Sequence, residues 1–600
     1  MTPDRPRAVR RRVALAGLAL LGVSLVAFGW GAPPERCPDV TSVELQVAAS
    51  EAVDWFARNQ EGDGTWLYQY DAGSDEVVDD YNVVRHAGAV MGLYQAAGAA
   101  IPGALETADR GFAWAEDHLV ERDDWAALSH QGRTATGATA LLVSGLVERR
   151  AATGDERYDD LLADLGRFLA AQTEPSGAVL ANYSLRSEAP EPGVYSAYFT
   201  GETYWAFARL HGLDPGAGWG ALADRVGAYL TTRRDDVEDH WPPIPDHWAA
   251  YGLAETVRFA DRPADAPLTE DEVAYAEDQA GYFGAQVRWV AQRHGPWGAL
   301  ARTPHVPRGG GYGVVGEALT GLWSVSEAEP RLADLREPLA ERASCIAGLA
   351  VEQQVDAAEA AGYPDPGRAR GAWFRDGETR MDDQQHALSA LLRTQPIVTA
   401  TAAEAADEDG TDGPGSPAPD AVLWAVALVA ALNPVRAALA VPRGGPSPVR
   451  IAALGGAVGA LVVLVLALAG SLLLDALDVS DPAFRIAAGA VAAIAGALDL
   501  ARRPPSSEPA LPGWRAALVP VAVPLVIRPA LVLGALGASA DRGPAVVVVA
   551  LVVGVGVLAA AALVPADGPG RRVARWAAAL TGAVLAAAGV LLVVDGVLAV

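Results

Sequence analysis

The sequence predicts an all-α protein in two parts, one folded in water and one in lipid. Three observations predict it. Composition shifts along the 600 residues: 38–395 is rich in Trp, Tyr, Asp, Glu and Gly, whereas 421–600 is mostly Ala, Val, Leu and Gly broken by short Arg or Pro clusters. The first part reads as helices throughout, with one repeated unit of an amphipathic helix, a loop containing Gly and aromatics, and an Ala/Gly/Leu-rich helix. The second part holds six apolar segments, each near the ~20 residues needed to cross hydrocarbon.

The chain opens with MTPDRPRAVRRR and then VALAGLALLGVSLVAFGW, a basic region and an apolar run of signal-anchor or signal-peptide type over residues 1–32. No clear small-x-small cleavage site precedes Pro33 and Pro34, so an uncleaved anchor is expected. Either form sends the residues after it across the membrane. The only cysteines are Cys37 and Cys345. Outside the cytoplasm a disulfide between them is allowed, and two free thiols are the alternative. The net charge of -27 falls almost wholly on the aqueous part and excludes nucleic acid, which needs basic patches to neutralise phosphates.

Within 38–395, six inner helices are expected to begin in DDYNVVRHAGAVMGLYQ, TATGATALLVSGLVE, SAYFTGETYWAFARL, PDHWAAYGLAET, GYGVVGEALTGLW and MDDQQHALSALL. Polar groups stand at those starts. Asp80, Glu202, Asp246, Glu317, Asp382 and Asp383 are the candidate catalytic carboxylates, because glycosidic chemistry needs one carboxyl as acid and another as base or nucleophile. Arg85, His86, His247, Trp248, Tyr312 and His386 are candidate binding residues, the aromatics offering faces for sugar rings. Trp66, Tyr68, Tyr81, Tyr198, Trp241 and Trp373 lie around them. For each carboxylate a bland role also exists, since an acid in a first helical turn favours the dipole and an Asp before a helix caps it. No short ligand spacing supports a metal, and no cofactor is expected. Six outer-inner pairs of this spacing resemble the (α/α)6 toroid of many glycoside hydrolases, polysaccharide lyases and sugar epimerases. That resemblance implies a funnel with the helix starts at one rim. NQEGDGTW is similar to the Gln/Trp repeats of toroidal terpene cyclases, without their Asp-rich motif.

Residues 396–420 read as a disordered acidic linker, TATAAEAADEDGTDGPGSPAPD being too polar and too rich in Gly and Pro to bury a core. The apolar segments run over 421–441, 451–474, 483–500, 516–538, 544–564 and 574–600. Loops VPRGGPSPVR, ARRPPSSEPALPGWR and PADGPGRRVAR carry arginines, while DALDVSDPAF and GASADRGPA are acidic or nearly neutral. By the positive-inside rule the first set is cytoplasmic. This predicts an inner-membrane protein whose N-terminus is cytoplasmic and whose residues 38–420 and C-terminus are outside, with the lipid bilayer as its partner.

Two apolar segments pair Pro with Arg: Asn433, Pro434 and Arg436 in the first, and Pro520, Pro524, Arg528 and Pro529 in the fourth. Interrupted helices at corresponding positions of two oppositely oriented halves point to an inverted repeat with a midplane site. The alternative is that the arginines pair with Asp475, Asp499 or Asp595, or reach an interface. LNPVRAALAVP, DPAFRIAAGAVAAIAGALDL, PVAVPLVIRPA and LTGAVLAAAGVLLVVDGVLAV together resemble, in order, the motifs of the MarC family of bacterial membrane proteins. The resemblance covers about 421–600 and implies transporter-like architecture. Three positions depart from it: Arg528-Pro529-Ala530 where the family has Gly-Pro-Gly, Ala488 in place of a Gly, and Asp595 in place of an amide.

The function expected from these readings is a toroid outside the cell acting on a saccharide, as hydrolase, lyase or epimerase, fused to a MarC-like membrane domain. The alternative is a glycan-binding or sensor toroid, coupled to the membrane domain or merely anchored by it.

Overall fold

The structure is a computed structural model describing residues 35–78, 80–240, 244–293, 307–408, 419–441, 447–468, 481–501, 513–542, 544–563 and 569–598. The anchor at 1–32, Trp241 and Asp475 lie outside them. Contacts divide the chain into two units, one spanning 36–291 with 304–412 and the other centred on 413–600.

The first unit alternates outer and inner helices. The outer set is α1 (Ser42–Arg58), α3 (Ala104–Glu116), α5 (Asp159–Gln172), α7 (Trp219–Thr232), α9 (Glu270–Ala291) and α11 (Arg336–Gln353). The inner set is α2 (Val83–Gly98), α4 (Thr136–Thr153), α6 (Phe199–Leu213), α8 (His247–Thr256), α10 (Gly309–Ala328) and α12 (Met381–Glu408). Each inner helix packs on the next, and α12 returns to pack on α2, so the six close a ring inside the outer layer. All six expected inner helices are present. The inner ones are buried nearly all round, which is why their sequences lack a polar stripe.

Small residues set the spacing. A methyl group at Gly313 on α10 would stand 2.4 Å from His386 Cβ on α12, and one at Gly137 on α4 would stand 2.0 Å from Glu202 Oε2 on α6. Alanine at either position displaces a residue of the funnel. Local chemistry starts the helices: Thr41 and Glu44 form a reciprocal cap on α1, and Asn82 accepts from Val84 N and Arg85 N to open α2. Short strands join the layers, among them β1 (Gln69–Asp71), which pairs antiparallel with β2 (Glu76–Val77) and with β3 (Glu378–Arg380). Cys37 and Cys345 are disulfide-bonded with Cα atoms 4.7 Å apart, tying the segment before α1 to α11. Helix α12 runs to Glu408 and so takes in the start of the stretch expected to be a linker; 409–418 lie outside the described residues.

The second unit holds α13 (Pro419–Leu432), α14 (Pro434–Leu439), α15 (Pro448–Leu468), α16 (Asp481–Ala501), α17 (Pro529–Arg542), α18 (Pro544–Ala561) and α19 (Pro569–Leu598). The sequence leads one to expect six spans. Among the described residues four helices are long and apolar enough to cross a membrane: Pro448–Leu468, Ala483–Leu500, Pro544–Ala561 and Trp576–Val594. The first and fourth segments fall short because both are broken. Asn433 adopts a left-handed backbone (φ 43°) between α13 and α14, and Val519 and Val523 are extended inside 518–526. Helices α16 and α19 pack tightly: a methyl at Gly496 would lie 2.4 Å from Ala586 N, and one at Gly589 would lie 2.3 Å from Ala493 N. Small residues are how helices attract one another where no water drives them together. Large apolar side chains such as Leu461, Val549, Val552 and Leu591 point outward, as lipid-facing surface requires.

Candidate active site

A cavity of about 300 Å³ lies inside the ring, lined by Arg85, Leu141, Glu202, His247, Trp248, Val314, Asp382, Gln385 and His386, with Tyr198 among its walls. Every inner helix contributes at least one of these residues, which puts the cavity on the ring's axis. Behind the lining residues His247 and His386 stands a buried carboxylate that does not itself line the cavity. Glu317 on α10, fully buried, takes a bond between its Oε2 and His386 Nδ1 at 2.7 Å and accepts from Gln385 Nε2 on Oε1 at 3.3 Å. His247 Nε2 lies 3.7 Å from the same Oε2. The two imidazole centroids are 5.2 Å apart and nearly perpendicular.

The environments of the two rings differ. Burial, with His386 nearby, pulls His247 well below the ordinary imidazole value, although a carboxylate stands beside it. This ring is neutral, and neither nitrogen has a hydrogen-bond partner among the described residues. Burial also opposes charge on His386, but Glu317, helped by Asp382 and Asp383, outweighs it and raises the ring above its ordinary value. Glu202 is 4% exposed with its Oε2 unpartnered among the described residues, and burial followed by the charge of Asp246 pushes it up to about 8. It is therefore a neutral acid at pH 7. At the rim Arg85 Nε meets Asp382 at 3.1 Å and its Nη1 donates to Tyr68 Oη at 2.7 Å. Trp248 forms a wall, stacked on Trp205 with centroids 5.5 Å apart. His247, Glu317 and His386 bring three donor atoms within 4.8 Å of one another, a set able to hold a divalent ion although no sequence spacing indicates it.

Other expected site residues stand elsewhere. Asp246 is fully buried beneath Glu202, where it caps α8 through Ala249 N and pairs with buried Arg234. Burial raises its carboxyl in spite of that arginine. Asp383 accepts from Gly310 N at the start of α10 and faces Arg308, and burial with Asp382 lifts it to about 6. Asp80 is exposed and lines a separate cavity of about 780 Å³ with Arg58, Trp66, Tyr68, Tyr81 and Arg368. His86 is held between Tyr81 Oη and Gly111 O and packed on Trp114, with burial lowering it to about 3. Tyr312 is buried and is not among the lining residues. Gln385, which orients Glu317, and Arg234, which neutralises Asp246, are not among the residues the sequence singles out. The only sequence signal for the first is its place beside His386 in QQH, and for the second the run RRDD.

No protein-family model matches the chain, so the MarC resemblance rests on the quoted motifs alone. No curated protein matches it either. Among solved structures it is similar to the cellobiose 2-epimerase of Spirochaeta thermophila, at 15% identity and a TM-score of 0.41, over 58% of this chain and 93% of that one. It is also similar to a D-mannose isomerase, at 11% and 0.41 over 59% and 97%, and to a GH76 α-mannanase of Bacteroides thetaiotaomicron, at 8% and 0.41 over 60% and 97%. At these scores the likenesses add nothing to the helix contacts, which define the ring by themselves.

In the second unit Asn433, Arg436 and Arg528 meet on one carboxylate, Asp499 of α16. Pro434 is buried beside them, and Pro529 is exposed at the start of α17.

Proposed function

We propose that the ring is a saccharide epimerase or isomerase that moves a proton at the carbon beside the carbonyl of an open-chain sugar. One observation carries the reading: a buried imidazole, His247, and a partly buried one, His386, both lining an aromatic-walled cavity, are shifted in opposite directions and share Glu317 behind them. Groups whose environments push them apart are suited to the acid and base roles. Neutral His247 takes the C–H proton, the electron pair forms the C=C bond of an enediol, and the carbonyl oxygen receives a proton from His386, held charged by Glu317. Return of a proton to the other face gives the epimer, and return to the neighbouring carbon gives the isomer. Arg85 and Asp382 offer charged hydrogen bonds to sugar hydroxyls, and Trp248 and Tyr198 offer apolar faces. Hydrolysis fits less well, because Glu317 is engaged by two side chains and Glu202 has no basic partner among the described residues.

The test uses the full chain in detergent, offered reducing mono- and disaccharides in D2O. The expected product carries solvent deuterium on carbon and keeps its glycosidic bond, and His247→Gln and His386→Gln lower turnover by ~10²-fold or more. New reducing ends that persist in both variants establish hydrolysis instead, and saturable binding without turnover establishes a glycan-binding ring.

A second reading rests on the same three residues. If His247, Glu317 and His386 hold a divalent ion, purified protein contains about one equivalent and chelation abolishes activity. Under the acid-base reading chelation changes nothing.

We propose further that residues 38–420 lie outside the cytoplasm, supported by the disulfide and by the arginine-bearing loops. The C-terminal unit is a MarC-like inverted repeat of six segments, with its first and fourth broken. A protease added outside intact cells should cleave within 399–420 and leave the Arg502 to Arg515 loop intact.

A further inference from the structure

The geometry points to an oxyanion-binding site in the membrane unit, formed by Arg436 and Arg528 around Asp499. The inference is independent of the chemistry assigned to the ring. Asn433, 1% exposed, breaks the helix between α13 and α14 and donates from Nδ2 to Asp499 Oδ2 at 2.9 Å. Its own Oδ1 accepts from Arg436 N, which fixes the turn. Arg436 approaches Asp499 with Nη1, 3.4 Å from Oδ1 and 3.4 Å from the backbone oxygen. From the second broken segment Arg528 brings Nη1 to Asp499 Oδ2 at 2.9 Å and to Ala431 O at 3.2 Å, a carbonyl beside the helix break.

Two features separate this knot from a finished structural ion pair. Two guanidiniums face one carboxylate among the described residues, leaving one positive charge unmatched in a unit built for lipid. Such a charge is costly and marks a site by default. Each arginine also commits only Nη1, so Nε and Nη2 of both have no partner among the described residues. The side chains keep 15% and 18% exposure, whereas that of Asp499 keeps 6%. Two incompletely used planar forks suit a carboxylate or phosphate group, which accepts paired N–H donors. Asp499 then serves as the internal stand-in that an arriving anion must outcompete.

Inorganic phosphate and acetate, titrated separately into the full chain in phosphatidylcholine nanodiscs, test this by calorimetry and thermal melting. One of them should bind saturably and raise the melting temperature. Asp499→Asn, which removes the competing charge and keeps the shape, should lower its Kd about tenfold or more. Arg436→Lys and Arg528→Lys, which keep charge and lose the fork, should raise it by a similar factor. If the anion is a lipid headgroup, phosphatidylglycerol discs raise the melting temperature without added salt, and the lysine variants lose that rise. The proposal is overturned if neither probe nor lipid has an effect on the wild type and Asp499→Asn, or if responses are the same in the lysine variants. Should the lysine variants fail to fold, unchanged affinity in Asp499→Asn overturns it alone.

Discussion

Glu317 in the aqueous ring and Asp499 in the membrane unit are both carboxylates shared by two nitrogen-bearing side chains. Glu317 lies between His386 and His247; Asp499 lies between Arg528 and Arg436. The partners make the difference. An imidazole exchanges its proton within the physiological range, so Glu317 can hold one ring charged while burial keeps the other neutral. A guanidinium never releases its proton, so Asp499 sits in a fixed field and can only be satisfied or displaced. One arrangement is suited to moving protons, the other to holding anions.

The largest effect expected to sharpen that contrast is on turnover. Glu317→Gln should lower it by ~10²–10⁴-fold with glycan binding retained, whereas Asp499→Asn should leave it unchanged. Parallel kinetics on the two variants check this, and equal losses would break the distinction. Next in size is the fixed pair inside the ring itself: Arg234→Leu leaves Asp246 buried without its partner and should cost about 3–5 kcal/mol, read as a fall in melting temperature. Smaller is a pH slope. Folded Glu202 holds its proton to about pH 8, while the unfolded chain releases it near 4.5, so the native state binds more protons between those values. Stability from this group is therefore full below about 4.5 and declines as pH rises to 8, by at most ~1.4 kcal/mol per unit. Denaturant titrations of wild type and Glu202→Gln should show that slope only in the former. The smallest effect is on the rate profile: His386 is raised, so activity should fall on the alkaline side only above the ordinary imidazole range. A fall beginning below pH 6.5 would remove His386 from the acid role.

The starts of the inner helices were legible because small-residue runs and polar first turns recur at even spacing. Which polar residue at each start faces the axis was not. Arg85 and His86 are neighbours, as are Asp382 and Asp383, and a helix turns by about 100° between them. Arg85 and Asp382 therefore reach the cavity, while His86 packs outward on Trp114 and Asp383 reaches the start of α10. Asp80 lies before the Asn82 cap, outside the helix, and lines a different cavity. The pairing of His386 and His247 through Glu317 joins three helices distant in sequence, and no local pattern encodes it. In the membrane unit the breaks at Asn433 and before Arg528 were legible from Pro and Arg in apolar runs. That both lead to Asp499, rather than to another acid, was not.

The disulfide has a consequence for how the ring comes apart. A circle of repeated helix pairs made from one chain has a seam where its first and last elements meet, here α1 against α12. Stacked repeats ordinarily fray from such ends, each pair leaving at a fraction of the global cost. The bond between Cys37 and Cys345 spans 308 residues and fastens the leading end to α11, next to that seam. While the bond is intact, the segment leading into α1 stays fastened to α11, which opposes peeling from the front. With the bond reduced, α1 should be the first helix to exchange its amide hydrogens.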